Sequence, residues 1–207
     1  MKKIMFNTPL GLEQAVLDGR KTMTRRILTT HIHNLIDFKA YLEGDNECAG
    51  EFENGWIDWK LVMPYQIGET IAIAQSYHTL NKSGYVAPEW CEHTCESSAG
   101  YNNKMFVRAD LMPHHICITD MRLEYLQNIS DEDCLREGIY AHTVQLDETP
   151  GIKPHTSYAY NMLQGSNIKR WWYQTPREAF AALIDKLSGK GTWASNPWVV
   201  AYTFKRL

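Results

Sequence analysis

An α+β fold, a small mixed barrel of short strands with helices packed outside it, is predicted by three features of this sequence. Apolar residues alternate over short stretches, most clearly at 70–75, 115–126 and 197–204, the period of half-buried strands. Helices are few and mostly short. The element order is strand, helix, four strands, two helices and a last strand, which departs from the regular alternation of a parallel βαβ sheet. With 207 residues and 44% hydrophobic content, the chain fits one decorated domain spanning 1–207.

Met1 to Phe6 reads as a short strand. Thr8 then caps a helix with Pro9 at its first position, and Leu12, Ala15 and Val16 form its apolar stripe. Gly19 ends it in a left-handed conformation. Lys21 to Ile27 reads as extended. Three loop-rich insertions are expected at about 31–63, 81–103 and 140–174, the first carrying a short helix over Leu35 to Leu42. Pro64 to Glu69 forms a turn into the strand Thr70 to Gln75. Met105 to Ala109 and His115 to Leu126 read as two more strands, the second broken near Thr119-Asp120, where its alternation slips. Ser130 caps a short helix with acids in its first turn, closed by Gly138. Thr175-Pro176-Arg177-Glu178 is a capping box, and Ala179, Phe180, Leu183, Ile184 and Leu187 form that helix's buried face up to Gly189. Pro197 to Phe204 is the final strand.

Several function classes are excluded or disfavoured. A net charge of −3 opposes tight binding of extended duplex DNA, which rests on phosphate neutralisation. No run approaches the roughly 20 apolar residues of a membrane helix, and the N-terminus lacks a signal-peptide core. Five scattered cysteines suit a reducing cytoplasm better than a disulfide framework. No cofactor-binding glycine loop or nucleophile elbow is present.

The chemistry concentrates in Gly19-Arg20-Lys21-Thr22-Met23-Thr24-Arg25-Arg26. Four cations (Arg20, Lys21, Arg25, Arg26) with two interleaved hydroxyls build a local positive potential suited to phosphate, carboxylate or a developing oxyanion. The alternative is a solvated basic strand edge. In a regular strand Thr22 and Thr24 share one face and Lys21, Met23 and Arg25 the other, so Lys21 and Thr24 converge only if the chain turns after Gly19. Glu137, at the C-terminal end of its helix, either faces solvent or carries protons in a pocket.

Cys91, His93 and Cys95, with His78 upstream, lack the second close pair of a zinc site, and a plain loop is the expectation. No metal or other cofactor is expected. Trp193 and Trp198 either anchor the last strand or stack on a base; anchoring is favoured.

GRKTMTRR after a short helix, Tyr65-Gln66-Ile67-Gly68-Glu69 before a strand, Leu126 to Asp133 followed by Glu137-Gly138-Ile139, and the closing Trp193-to-Phe204 segment together resemble the ASCH domain of the PUA-like superfamily. The layout looks like the longer members found in bacteriophages and prophages. The resemblance implies a PUA-like β-barrel whose cleft binds RNA or a modified nucleoside. Some small members are amidohydrolases that deacetylate N4-acetylcytidine, and their catalytic set falls by motif on Lys21, Thr24 and Glu137. Arg20, Thr22, Arg25 and Arg26 become the expected substrate or nucleic-acid contacts. Thr24 would be the nucleophile, Lys21 its base, with a pKa lowered by Arg20 and Arg26, and Glu137 the proton donor; Lys21 and Glu137 could also exchange roles or simply pair as ions. The chain departs from the phage-type pattern at Ala74-Gln75, where Arg-Glu is usual. Two functions are thus in view, nucleoside or RNA binding and amide hydrolysis. A third is a phage accessory protein that binds a host protein through its long loops.

Overall fold

The computed structural model describes residues 1–52, 55–85, 96–144, 155–164 and 167–207. In chain order its elements are β1 (Lys3–Ile4), α1 (Leu12–Leu17), β2 (Met23–Ile27), α2 (Thr30–Leu35), α3 (Phe38–Leu42), β3 (Ala49–Phe52), β4 (Gly55–Ile57), β5 (Thr70–Ile73) and α4 (Tyr77–Lys82). There follow β6 (His115–Tyr125), α5 (Asp131–Arg136), β7 (Tyr140–Val144), β8 (His155–Gln164), β9 (Asn167–Tyr173), α6 (Pro176–Ser188), α7 (Thr192–Ser195) and β10 (Trp198–Arg206).

The architecture is α+β. A five-stranded sheet in the order β1-β5-β6-β10-β2 is antiparallel except for the β1–β5 pair. Among the described residues this sheet stays open, with β1 and β2 at its edges, and no closed barrel is formed. The long strands β6 and β10 form its spine. Ile116, Ile118, Met121 and Leu123 of β6 are buried, and the alternation slips at the exposed pair Thr119-Asp120. There Thr203 pairs with Asp120 and Phe204 with Ile118, so Thr119 is the extra residue of a bulge, as the pattern predicts.

Several elements differ from the sequence reading. Thr8 does not cap a helix; its hydroxyl donates to Glu13 Oε2 at 2.7 Å, and α1 begins three residues after Pro9, with Gly11 left-handed before it. The first insertion holds two helices and the β3–β4 hairpin; its predicted helix shortens to α3 because Asp37 caps Lys39 and Ala40. Met105 to Ala109 is not a strand. The Lys3 ammonium takes the Met105 and Val107 carbonyls, each at 2.6 Å, and short 3₁₀ turns replace sheet pairing. The third insertion is not loop-rich where described; β7, β8 and β9 form an antiparallel sheet of their own.

The α6 capping box forms as expected, with Thr175 accepting from the Glu178 N–H and Glu178 reaching back to the Thr175 N–H. Ala179, Phe180, Leu183 and Ile184 are buried, whereas Leu187 is partly exposed. Both indoles of the C-terminal segment pack internally. Trp198 stacks on Phe38 at 4.5 Å and lies 4.2 Å from Tyr125, while Trp193 meets Phe180 edge-on. Among the described residues no helix is long and apolar enough to cross a membrane.

Because Trp198 joins α3, β6 and β10, Trp198→Ala is expected to destabilise the fold by ~3–5 kcal/mol, as large aromatic truncations in cores do. Urea denaturation measures this; a loss under about 1 kcal/mol would show that the indole is not a structural anchor.

Candidate active site

The turn after Gly19 that the motif requires is present. Asp18 ends α1, Gly19 adopts φ +75°, and the Lys21 N–H returns to the Ala15 carbonyl. Lys21 therefore sits ahead of β2 and is free of the strand's alternation. The Thr22 N–H donates to the Arg136 carbonyl at 2.9 Å, and Lys21 Nζ donates to the Glu137 carbonyl at 2.8 Å. Two of the carbonyls that α5 leaves without helical partners are thus satisfied by the approach to β2.

Glu137 follows the last turn of α5, and Gly138 follows at φ +102°. A Cβ added at Gly138 would come within 3.6 Å of Lys21 Cβ and 3.5 Å of Ala15 Cβ. Glycine satisfies both the left-handed backbone and this close approach, which brings the end of α5 against α1 and Lys21.

Lys21 Nζ lies 2.5 Å from Glu137 Oε2, and both residues are buried, 2% and 4% exposed. The other carboxylate oxygen, Oε1, accepts from Arg25 at 3.2 Å. Arg25 also donates to Glu124 at 2.7 Å and to Asp133 at 2.9 Å. Asp133 additionally receives Arg122 at 2.6 Å and Arg136 at 3.2 Å. The result is a buried ionic network joining β2, β6 and α5.

Burial lowers the Lys21 pKa from its ordinary 10.5; Glu137 opposes that shift, while Arg26 and Arg25 reinforce it. The expected contribution of Arg20 is not found. Burial also works against the Arg25 charge, but Glu137, Glu124 and Asp133 outweigh it and raise its pKa above the ordinary arginine value. Burial resists the Asp133 charge too, yet Arg122 and Arg25 hold it below the ordinary aspartate value of 3.8. Cys134 beside this network is no nucleophile, since burial pushes its thiol up to about 12.

A cavity of about 300 Å³ opens against this network, at the small end of ligand-binding cavities. Lys21, Thr24, Arg25, Arg26 and Glu137 form its polar wall. Phe180, Leu183, Ile184 and Leu187 of α6 supply the opposite, apolar wall, with Leu126 and Val199. Phe6 lies between the cations, 6.0 Å from Lys21 Nζ and 5.9 Å from the Arg26 guanidinium carbon. Arg26 donates through Nη2 to the Met5 carbonyl at 2.7 Å, while its buried Nε has no hydrogen-bond partner among the described residues.

Five of the seven sequence-selected residues therefore meet in one cavity. Arg20 and Thr22 do not. Arg20 is exposed and pairs with Asp18 at 3.6 Å, and the Thr22 hydroxyl accepts from Arg136 at 3.3 Å. Arg25 is a structural hub rather than an open substrate contact. Glu124, Asp133, Arg122 and the α6 wall were not selected from sequence. The one available signal was the charge complementarity of Glu124 on β6 and Arg25 on β2, and it appears only once both strands are known to flank β10. Gln75 lies outside the cavity lining, in a second polar cluster where Glu13 accepts from Gln75 at 3.4 Å, Thr8 at 2.7 Å and Lys104 at 2.9 Å.

Cys91, His93 and Cys95 lie outside the described residues, among which no group of three His, Cys, Asp or Glu side chains is arranged to hold a metal. Comparison with protein-family models, curated proteins and solved structures finds no match to this chain.

Removing Arg25 takes away the buried cation that three carboxylates share, leaving each with fewer partners. Arg25→Met is expected to cost ~3–5 kcal/mol of stability, the range for breaking a buried ionic group by removing one partner. Arg26→Met should cost clearly less, because Arg26 has no carboxylate partner in this network. Parallel chemical denaturation of the two variants tests this, and equal losses would contradict the hub assignment.

Proposed function

We propose that this chain is an ASCH-type protein of PUA-like ancestry whose cavity hydrolyses the amide of an N-acylated nucleoside, N4-acetylcytidine being the reference substrate. The observation that carries the reading is the 2.5 Å contact between Lys21 and Glu137, buried in the cavity that Thr24 also lines. The cavity volume suits a nucleoside better than a folded RNA or a duplex.

The chemistry follows from the pair's single proton. In water a lysine–glutamate pair is an ion pair, but burial lowers the Lys21 pKa, which favours passing its proton across the 2.5 Å contact to give a neutral amine–carboxylic acid form. That form holds the two groups amide cleavage needs. The neutral Lys21 amine removes the Thr24 hydroxyl proton as its oxygen bonds to the acyl carbon. Arg26 Nε, a buried donor, stabilises the oxyanion. The C–N bond then breaks as the Glu137 carboxylic acid protonates the departing amine. This leaves an acyl-threonine ester with lysinium and carboxylate side by side. Glu137 next takes a proton from water as water attacks the ester, and Lys21 returns a proton to the departing Thr24 oxygen. The net reaction is amide plus water giving carboxylic acid plus amine.

Incubation of the purified protein with N4-acetylcytidine should release cytidine, read by chromatography. Lys21→Ala, Thr24→Ala and Glu137→Ala should each lower kcat/KM by ~10²–10⁴-fold, the usual contribution of a positioned acid or base. Folded protein with no turnover above buffer would refute the reading.

Activity should also fall at high pH as the pair loses its one proton. Burial lowers the Lys21 pKa, so the midpoint of that fall belongs below 10.5. A profile still rising at pH 10.5 would contradict the shared-proton mechanism while leaving hydrolysis itself intact.

A further inference from the structure

The sheet formed by β7, β8 and β9 takes no part in the cavity chemistry, yet its composition is unlike that of the rest of the chain. Its three strands contain no aspartate or glutamate, although the whole protein has 24 acids against 21 lysines and arginines. They carry Lys169, Arg170, His142 and His155 together with four tyrosines and two tryptophans at 140, 158, 160, 171, 172 and 173. Of these, Tyr140, His142, His155, Arg170 and Trp172 share one face by register, a face without acids, which on an acidic protein suits a polyanion with flat rings.

Strand register sorts these side chains. Tyr140 pairs with Ala159, and Ala159 with Trp172, so one row crosses all three strands with a small residue at its centre. His142 and Arg170 lie on the same face, two positions from Tyr140 and Trp172. The Arg170 guanidinium carbon stands 4.8 Å from the Tyr140 ring centre, and Trp172 lies 5.6 Å from His142 and 6.3 Å from Tyr140. Arg170 Nε donates to Asn161 Oδ1 at 2.9 Å, which fixes its orientation. The opposite face turns inward: Tyr160 is buried, Tyr158 and Tyr173 pack on the core, and α6 lies against β8 and β9. Trp172 is 47% exposed and Trp171, stacked on Tyr160, is 41% exposed.

On the outer face Trp172 is a half-exposed indole held by Tyr140 and His142 instead of folding onto the core, whereas Trp171, on the opposite face, stacks on Tyr160. Rings held at tilted and edge-on angles, with a guanidinium over one face of Tyr140, present stacking surfaces and a phosphate partner together. Stacking of this kind is tolerant of sequence, because every base has a π-face, but it needs bases that are not already stacked in a duplex.

We propose that the outer face of the β7–β8–β9 sheet is a single-stranded nucleic-acid binding surface, with Trp172 and Tyr140 stacking on bases and Arg170 contacting phosphate. This surface is separate from the cavity and does not depend on its being catalytic.

The test uses the full chain and labelled single strands of about twelve nucleotides, within the range such surfaces cover, in RNA and DNA versions, plus the matching duplex. Fluorescence anisotropy at low salt should show binding of a single strand, and the RNA-to-DNA ratio identifies the preferred sugar; either preference supports the assignment. The duplex should bind at least about tenfold more weakly. Trp172→Ala and Arg170→Ala should each weaken single-strand binding by roughly tenfold, with Trp172→Phe recovering most of the loss. Arg170→Ala should also reduce the dependence of log affinity on log salt by about 0.7, the value for one phosphate contact on a single strand. Strand binding is read without turnover and hydrolysis is read on the free nucleoside, so failure here and failure of amide hydrolysis are told apart. No binding of either strand at low salt would overturn the proposal. So would a duplex bound as tightly, or full affinity in Arg170→Ala, an exposed position whose loss does not threaten folding.

Discussion

Lys21 and Arg25 are cations held almost out of water, and each must find carboxylate oxygens at hydrogen-bond distance or remain uncompensated. Desolvating an ion costs several kcal/mol even after relaxation, so such a network is tolerable only when its geometry is tight. That demand explains local features that otherwise look incidental. The left-handed Gly19 lifts Lys21 out of the strand, and Gly138 lets the end of α5 approach Lys21 Cβ within van der Waals distance. Arg25 reaches three carboxylates on two elements. Asp133 belongs to the first turn of α5 and Glu137 to its end, so one helix grips β2 from both ends.

The same constraint shapes the cavity. Thr24 precedes Arg25 on β2 and pairs with Tyr202 of β10, so the sheet fixes the threonine beside the cations. Across the space stands the apolar face of α6. A wall of Phe180, Leu183 and Ile184 contributes little polarity, and this strengthens every charge interaction opposite it. The polar wall alone would be a surface salt-bridge patch of small worth. Facing a hydrocarbon wall, it becomes a site where moving one proton between Lys21 and Glu137 changes the chemistry on offer.

Much of this was readable in the sequence, and the failures share a cause. The α6 capping box, the bulge at Thr119 and the bend after Gly19 are local, so nearest-neighbour chemistry determines them. Lys21, Thr24 and Glu137 were selected by motif, and they share the cavity. Arg25 was read as a substrate contact because its three carboxylates come from distant segments. Asp133 was read as a helix-dipole acid for the same reason. Met105 to Ala109 has strand-like alternation, but a lysine 102 residues earlier in the chain claims its carbonyl groups. Residues 140–174 were read as loop-rich, although Tyr, Thr, Trp and Ile at alternating positions are what a half-exposed strand requires. Long-range partners decided each of these cases, and a single sequence carries no record of them.

Helix α6 is the element on which the two proposals meet. Its apolar face closes the cavity, while it also packs against β8 and β9. The two surfaces it supports differ in the kind of energy they offer. The cavity has a small volume and buried donors, among them Arg26 Nε, and buried polar groups discriminate sharply because a ligand that leaves them unpaired loses their full desolvation penalty. The outer sheet offers stacking and charge, which give affinity with little discrimination. Affinity without selectivity on the sheet, beside selectivity without much area in the cavity, is the division of labour expected of a protein that finds one modified base within a longer single strand. A free nucleoside would need only the cavity. The acid-free sheet is therefore the feature that argues for a polymer as the larger target.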